Sequence, residues 1–471
     1  MERRNVMNKQ KAFCLVIDLV IVFALLCALA FNVLAIENSD TPTGIHLTWQ
    51  ESEMTTSITV TWQTSSSSSG NVVAYDTVSR GGNAELYNYH ASGESATYEG
   101  ASGYIHDVEL VNLNPNSTYY FVCGGAQGGY SNERNFRTAP TQSSNFRFVV
   151  GGDCRSNPAQ RDFVSSAMSK FNPDFVLLCG DFVDSGSNQI QWDSFFHGLH
   201  SYWIGSNNQT IPIIPCLGNH EENATNYYEQ FALPNNEQWY SLNYGDYAHI
   251  IVLNSQADPS GEQLDWLEND LAAHENYTWK FVMFHHPLFS PSAHGNWTQG
   301  QEYWCPIFDK YGVQAVFTGH NHDYERAKPI NYSLSKTYPQ NSYSEGIMYV
   351  VSGGWGAPLH ASDTNALTAY SASVHHFIAI DVLANGTLNF KAIDMQGKIF
   401  DEVTLETEVI PEFPACIIIL LFLLTTFITV GLRKKRHWQP LASLSINLFE
   451  ESTIRNHVST LVPSTKFLEI I

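Results

Sequence analysis

Five apolar segments in the middle of the chain each end at a turn that carries an aspartate, an asparagine or a histidine. Each segment has the length of a buried strand and is broken by Gly or Pro. The segments and turn residues are 146–150 with Asp153, 174–179 with Asp181, 211–217 with Asn219, 279–284 with His285, and 313–317 with His320 and His322. Carboxyl ends of strands gather at one edge of an α/β sheet, where ligands bind. The pattern therefore predicts an α/β domain with these side chains at one edge.

Carboxylate, amide and imidazole groups are suitable ligands for iron, zinc or manganese. His320 and His322 alternate in the sequence, so in an extended segment they point the same way. A carboxylate can bridge two ions, which clamp a phosphate and lower the pKa of a bridging water. Each turn alone has an ordinary explanation, because Asp and Asn are common turn residues. The five turns together favour a metal site.

These residues resemble the calcineurin-like metallophosphoesterase superfamily, and within it the purple acid phosphatases. Residues 319–326, Gly-His-Asn-His-Asp-Tyr-Glu-Arg, are close to that branch's GHxHxYER, and residues 282–285 fit its VxxH. The resemblance extends from about Pro42 to Asp394. It implies a four-layer α/β/β/α domain over residues 146–406 that binds two metal ions and hydrolyses phosphate esters.

The resemblance also implies which residues hold the two ions, each of them divalent or trivalent iron, zinc or manganese. The implied ligands are Asp153, Asp181 and His322 for the first ion, and Asp181, Asn219, His285 and His320 for the second. His220 would face the phosphate and assist protonation of the leaving group. His294 and Arg155 are candidates for substrate contact, and the alternatives are a solvated loop residue for His294 and a surface arginine for Arg155.

Two departures from the family pattern concern the first ion. Purple members carry GDxxY, whose tyrosine binds ferric iron and gives the colour, whereas Asp184 stands at that position here. Other superfamily members carry Asp-x-His at the first turn, whereas this chain has Asp153-Cys154-Arg155. The first ion is therefore expected to have three protein ligands and no tyrosinate colour.

The segment before the α/β domain predicts a second, all-β domain. Residues 42–140 contain short period-two strands such as 45–49 and 57–62, and no stretch with helical periodicity. This pattern is typical of a β-sandwich, and it resembles a fibronectin type III domain. The purple acid phosphatase branch also places such a domain before the catalytic one. No cluster of His, Cys or carboxylates occurs in it, which favours a structural role.

Both ends of the chain are apolar and predict hydrophobic helices. Residues 1–35 read as a signal peptide, with an uncleaved anchor as the alternative. Residues 411–436 combine Pro-Glu-Phe, an apolar run and four cations, which predicts a membrane span with a cytoplasmic basic end. This segment also resembles the PEF-type sorting signal of archaeal surface proteins. The tail, 437–471, has no assigned function, and we expect an exported protein at the cell surface.

The net charge limits the kinds of binding partner, and the cysteine pattern indicates whether disulfides form. The net charge of −22, from 46 acidic and 24 basic residues, argues against a nucleic-acid-binding surface. Bound metal ions can still supply positive charge for a phosphate ester. The five cysteines between the terminal segments are odd in number and include no CxxC pair, so they predict buried thiols. They are Cys123, Cys154, Cys179, Cys216 and Cys305.

The sequence thus predicts an exported, membrane-tethered phosphatase in which metal-bound hydroxide attacks a phosphate monoester. One alternative is a phosphodiesterase or nucleotidase of the same superfamily. The other alternative is a surface-binding module with a vestigial metal site, against which the complete ligand set argues.

Overall fold

The computed structural model of the protein describes residues 40–67, 70–336 and 339–406. The predicted signal or anchor (1–35), membrane span (411–436) and tail (437–471) lie outside these residues. Among the described residues, no helix is long and apolar enough to cross a membrane. The chain divides into two compact units, Met1–Val409 and Ile410–Ile471, and every described residue belongs to the first.

The first domain is a sandwich of two antiparallel sheets. One sheet contains, in spatial order, Thr43–Thr48 (β1), Ile58–Thr64 (β2), Tyr104–Leu110 (β6) and Glu94–Ala96 (β5). The other contains Tyr89–Ser92 (β4), Val72–Asp76 (β3), Thr118–Gly125 (β7) and Gly129–Tyr130 (β8), with Arg134–Arg137 (β9) also on β7. Val60 and Val108 of one sheet share a buried core with Val73 and Phe121 of the other. The predicted all-β domain is confirmed.

Two mixed sheets form the centre of the second domain. The first contains, in spatial order, Ile213–Pro215 (β12), Phe175–Leu178 (β11), Phe146–Gly151 (β10), His376–Val382 (β20), Thr387–Asp394 (β21) and Ile399–Glu406 (β22). The second contains Tyr240–Tyr244 (β13), Ala248–Val252 (β14), Trp279–Met283 (β15), Ala315–Thr318 (β16), Met348–Ser352 (β18), Tyr324–Ala327 (β17) and Thr368–Ala372 (β19). The Phe148 ring lies 5.1 Å from that of Phe281 and 6.2 Å from that of Phe317. The two sheets therefore face each other across an aromatic core.

In the part of the chain that the structure describes, five α-helices flank the two sheets. They are Pro158–Ser169 (α1), Gln189–Tyr202 (α2), Thr225–Gln230 (α3), Glu262–Ala273 (α4) and Thr298–Tyr311 (α5), with short 3₁₀ turns at Ala84–Leu86 and Ser206–Asn208. Helix α1 buries Val164 and Met168 in the core of the first sheet. Helices α4 and α5 bury Leu267 and Trp304 in a core that includes Val282 of the second sheet. The order of layers is helix, sheet, sheet, helix.

The sandwich packs directly on the second domain. The His46 ring of β1 stacks on Phe196 of α2 at 4.5 Å, and its Nε2 lies 2.8 Å from the carbonyl oxygen of Gln230. On another side, the Asn243 amide donates to Glu53 Oε1 at 2.8 Å. These contacts agree with the structural role that the sequence favours for the first domain.

The five cysteines of the described chain are buried and free, as predicted. Burial raises the pKa of the Cys123 thiol to about 12. A thiol is a poor nucleophile and metal ligand when it is protonated. The cysteines therefore pack as small apolar side chains.

Candidate metal centre

The five predicted turns meet at the facing edges of the two central sheets. In the first sheet the parallel pairing of β10, β11 and β12 aligns three strand ends. In the second sheet the parallel pairing of β15 and β16 aligns the other two. The residues just beyond these ends are Asp153, Asp181 and Asn219 in the first sheet, and His285, His320 and His322 in the second. The fold therefore brings together residues that are up to 169 positions apart in the sequence.

The backbone turns sharply at three of these residues. Asp153, Asp181 and His320 have positive φ angles of 60°, 59° and 70°. Residues other than glycine rarely adopt this region, and strained positions of this kind cluster at functional sites. Two glycines make room for the turns, because a Cβ on Gly218 would clash with Asp181 Oδ1 and a Cβ on Gly319 would clash with Asp153 Oδ2.

Four ligand atoms converge on one point beside Asp181. His285 Nε2 lies 3.3 Å from Asp181 Oδ1 and 3.0 Å from Asn219 Oδ1. His320 Nδ1 lies 2.9 Å from Asn219 Oδ1 and 3.2 Å from His285 Nε2. Metal bonds of about 2.0–2.2 Å place neighbouring ligand atoms roughly 3.0–3.5 Å apart. His285 Nδ1 donates to the carbonyl oxygen of Cys179 at 2.8 Å, so its Nε2 is the atom that faces an ion.

A second group of ligand atoms lies around Asp153. His322 Nδ1 donates to the carbonyl oxygen of Pro358 at 2.8 Å, which leaves Nε2 as an acceptor 3.4 Å from Asp153 Oδ1. Asp153 is fully buried, and Oδ1 makes no hydrogen bond to any described residue. A buried oxygen without a donor is costly. A cation between these two acceptors would remove that cost, so the residues fit a metal ion.

Charges within the site favour an ionised Asp181 and a neutral His320. Burial acts to raise the pKa of Asp181, but the neighbouring His285 and His220 lower this pKa well below its usual range. Burial acts to lower the pKa of His285, but Asp181 and Asp153 raise it to about 9. Burial and the adjacent histidines lower the pKa of His320 to about 2, so its ring stays neutral and can bind a metal.

Comparisons with known proteins agree with this geometry. A family model described as "Purple acid Phosphatase, N-terminal domain" matches residues 42–138, and the "Calcineurin-like phosphoesterase" model matches residues 146–324. Probable purple acid phosphatase 20 of Arabidopsis thaliana is 30% identical over 307 residues, which cover 60% of this chain and 67% of that protein. The chain belongs to the purple acid phosphatase family. It is therefore a metal-dependent phosphoesterase with a dinuclear metal centre.

Other relatives show how far the family resemblance extends. Purple acid phosphatase 15 of Arabidopsis thaliana is 30% identical over 54% of this chain, and the chain spans about half, 54%, of its length. Acid phosphatase type 7 of Mus musculus is 27% identical over an alignment that covers 64% of this chain and 76% of that protein. The solved structure of PPD1, a purple acid phosphatase from yellow lupin seeds, is 20% identical, with a TM-score of 0.67 over 78% of this chain and 75% of that one. That last likeness shows the fold alone, and the boundaries 42–140 and 146–406 stay predictions.

Arg155 lies at the metal centre, and the interpretation of it as a surface arginine is wrong. Its side chain is 16% exposed, and its Nε lies 3.3 Å from Asp181 Oδ2. Its Nη2 lies 3.3 Å from His322 Nε2, and its Nη1 donates to Asp184 Oδ1 at 3.0 Å. The arginine and Asp184 therefore form an ion pair beside Asp181 and His322, and Asp184 stands where purple family members carry a tyrosine.

We expect no visible tyrosinate-to-iron absorption band, even after the protein is loaded with ferric iron. The residue at the tyrosine position is Asp184, and its carboxylate is bound to Arg155. Absorption spectra of the iron-loaded protein and of the Asp184→Tyr variant provide the measurement and a matched comparison. A band in the unaltered protein would contradict the assignment of Asp184 to that position.

His220 and His294 both border the metal centre. His220 Nδ1 donates to the Asp184 carbonyl oxygen at 2.7 Å, and its Nε2 lies 3.9 Å from Asp181 Oδ2. His294 is exposed, and its ring lies 4.2 Å from that of His320. Its backbone N–H donates to Asn321 Oδ1 at 3.0 Å, which holds the loop against the centre. Both histidines are therefore positioned at the mouth of the site.

Glu221 is a buried residue at the site to which the sequence pattern assigns no role. Its carboxylate accepts hydrogen bonds from the backbone N–H groups of Asp181 at 2.9 Å, Phe182 at 2.8 Å and Gly218 at 2.7 Å. Burial and the charge of Asp181 raise its pKa to about 7, against the effect of these donors. Glu221 therefore ties the turn after β11 to the turn after β12. A glutamate beside Asn-His gives no local signal of these distant partners.

Proposed function

We propose that the protein hydrolyses phosphate monoesters at a two-metal centre built on Asp181. The observation that carries this proposal is the placement of the Asp181 carboxylate between two sets of ligand atoms. Its Oδ1 lies 3.3 Å from His285 Nε2, whereas its Oδ2 faces Arg155, which contacts His322. Metal ions bound there would clamp the phosphate and lower the pKa of a water molecule.

The proposed ligand sets follow the two groups of atoms. They are Asp153, Asp181 and His322 for the first ion, and Asp181, Asn219, His285 and His320 for the second. The second group supplies four neighbouring ligand atoms, which is a complete tetrahedral set. The first group supplies three, so the first ion is expected to bind more weakly.

The surrounding side chains suit a substrate with a doubly charged phosphate. His220 Nδ1 donates to the Asp184 carbonyl oxygen, which leaves Nε2 as the ring nitrogen that would pass a proton to a leaving oxygen. Arg155 provides charged donors, and charge-assisted hydrogen bonds to phosphate oxygens are among the stronger ones. A monoester offers one more negative charge than a diester, and this favours the monoester as substrate.

The two ester classes can be compared directly. The protein loaded with manganese, zinc or iron is assayed with p-nitrophenyl phosphate and with its bis-ester, and we expect a higher kcat/KM for the monoester. His320→Ala should lose most of the activity because it removes a ligand. A higher kcat/KM for the bis-ester would assign the phosphodiesterase alternative. No turnover of either ester with any of these metals would favour the other alternative, a surface-binding module with a vestigial metal site.

We further propose that the protein is exported and tethered to the membrane. The support is the sequence of residues 1–35 and 411–436, which predicts an export signal and a membrane span with a basic cytoplasmic end. Phosphatase activity on impermeant ester should then appear with intact cells and sediment with their membranes. Activity found only after lysis, in the supernatant, would contradict this proposal.

A further inference from the structure

The glycine-rich loop that follows β18 passes directly over His322, a proposed ligand of the first ion. The His322 N–H donates to His360 Nδ1 at 3.1 Å, and the His360 N–H donates to the His322 carbonyl oxygen at 2.9 Å. The two imidazole rings stack at 4.1 Å with an angle of 19°. Two residues earlier in the loop, the Pro358 carbonyl oxygen accepts the proton of His322 Nδ1 at 2.8 Å. One short segment of loop therefore contacts the backbone, the ring face and the outer ring nitrogen of His322.

These contacts matter because His322 lies between strands. Strand β16 ends at Thr318 and β17 begins at Tyr324, so no sheet ladder holds the backbone of His322. Among the described residues, His360 is the hydrogen-bond partner of both its backbone N–H and its carbonyl group. Buried backbone groups need such partners. The position of the His322 ring is consequently set by the loop and not by the sheet.

A misplaced His322 would lower the affinity of the site for the first ion. Its proposed ligand set contains only three side chains, whereas the second ion has four. Outer groups that orient a metal-binding histidine fix both its tautomer and its ring direction, and their loss typically lowers metal affinity about 10–100-fold. The smaller the ligand set, the larger the share of the binding that each ligand supplies.

We infer that His360 is a positioning residue for the first metal ion. It holds His322 by two hydrogen bonds to the His322 backbone and by a ring stack. These contacts direct His322 Nε2 toward the proposed site of the first ion. This inference rests on the proposed ligand set of the first ion. His360 lies 38 positions beyond His322 in the sequence, in a loop where a lone histidine gives no indication of this contact.

Three substitutions separate the two side-chain contacts, while the bond from the backbone N–H of residue 360 to the His322 carbonyl oxygen stays in all of them. His360→Asn keeps a side-chain acceptor for the His322 N–H, His360→Phe keeps the ring stack without that acceptor, and His360→Ala removes both. His375→Ala is the matched control, because His375 Nδ1 binds the carbonyl oxygen of Gly354 in the same loop at 3.1 Å and makes no described contact with His322. The metal content of each full-length protein is measured by elemental analysis after dialysis against increasing concentrations of chelator. Thermal unfolding of the metal-free forms reports whether each variant folds.

In His360→Ala we expect one of the two ions to leave at a chelator concentration about 10–100-fold lower than in the unaltered protein. The other ion should stay as tightly bound as before. His360→Asn should recover most of the lost affinity, His360→Phe should recover less, and the His375→Ala control should retain both ions. This graded recovery is a result that a loss of general stability would not produce.

Two results would overturn the inference. In one, His360→Ala retains both ions as firmly as the unaltered protein does. In the other, both ions leave together and His360→Asn gives no recovery, which would mean that the loop supports the whole site and not His322. If the unaltered protein itself binds fewer than two ions, the proposed two-metal function fails instead. The experiment thus distinguishes failure of the inference from failure of the function on which it rests.

Discussion

The Asp181→Asn variant is expected to lose both metal ions at ordinary concentrations and to hydrolyse p-nitrophenyl phosphate roughly 10³-fold more slowly. An asparagine offers a single acceptor oxygen, and its neutral NH₂ group is a donor that cannot bind a metal ion, so the side chain could not supply one oxygen to each ion. Metal ions supply several kcal/mol of transition-state stabilisation, and each 1.36 kcal/mol corresponds to a tenfold change in rate. The measurements are kcat/KM and the metal content of the purified variant.

Asp184→Asn is the matched control for this carboxylate-to-amide change. Asp184 also contacts Arg155, but its side chain is 41% exposed and is not a proposed ligand. We expect this control to bind two ions and to keep activity close to that of the unaltered protein. An Asp181→Asn variant with unchanged metal content and unchanged kcat/KM would show that Asp181 does not bridge the centre.

The Asp401→Ala variant is expected to lower the free energy of unfolding by about 3–5 kcal/mol, because it leaves a buried arginine without its partner. Asp401 lies in β22 of the first sheet and accepts two hydrogen bonds from Arg326 of the second sheet, at 2.7 Å and 2.8 Å. Tyr324 donates to the same carboxylate at 2.6 Å. The two side chains of this ion pair are only 7% and 11% exposed. Denaturant unfolding measures the change.

A more exposed ion pair in the same sheet serves as the control. Asp381 of β20 pairs with Arg147 at 2.5 Å, but the arginine side chain is 38% exposed. Exposed pairs contribute about 0–1 kcal/mol because water and salt screen them, so Asp381→Ala should have a small effect. If the two variants lost the same free energy of unfolding, burial of the pair formed by Asp401 and Arg326 would add nothing to its contribution to stability.

The strands that the sequence predicts best are those with continuous apolar runs. Strand β10 was expected at 146–150 and spans Phe146–Gly151, because a buried parallel strand is apolar on both faces. Helix α1 spans Pro158–Ser169. Its start is defined locally, since Pro158 occupies the first turn and the Asn157 side chain accepts from the N–H of Gln160 at 3.3 Å.

Helix α2 shows why other elements were not predicted. It contacts both α1 and β1, and it therefore buries side chains on more than one face, including Trp192 and Phe196. At the same time it exposes Ile190 to solvent, with 79% of that residue accessible. A single apolar stripe, which is the usual sign of a surface helix, is consequently absent from its sequence.

The proposed metal ligands could be predicted because their signal is local. Each one stands in a turn just after an apolar strand, and strand order then brings the turns together. The supporting residues could not, because their roles depend on partners far away in the chain. Glu221 binds backbone groups around Asp181, and Arg155 contacts a histidine 167 positions away. Such contacts exist only after both sheets have formed.

The most direct test of the account is a metal titration of the metal-free protein with activity as the second readout. Manganese or zinc is added in measured equivalents, and both bound metal and hydrolysis of p-nitrophenyl phosphate are followed. The account predicts that two ions bind per chain and that full activity appears only as the second equivalent is taken up. Full activity with no bound metal, or at a single equivalent, would contradict it.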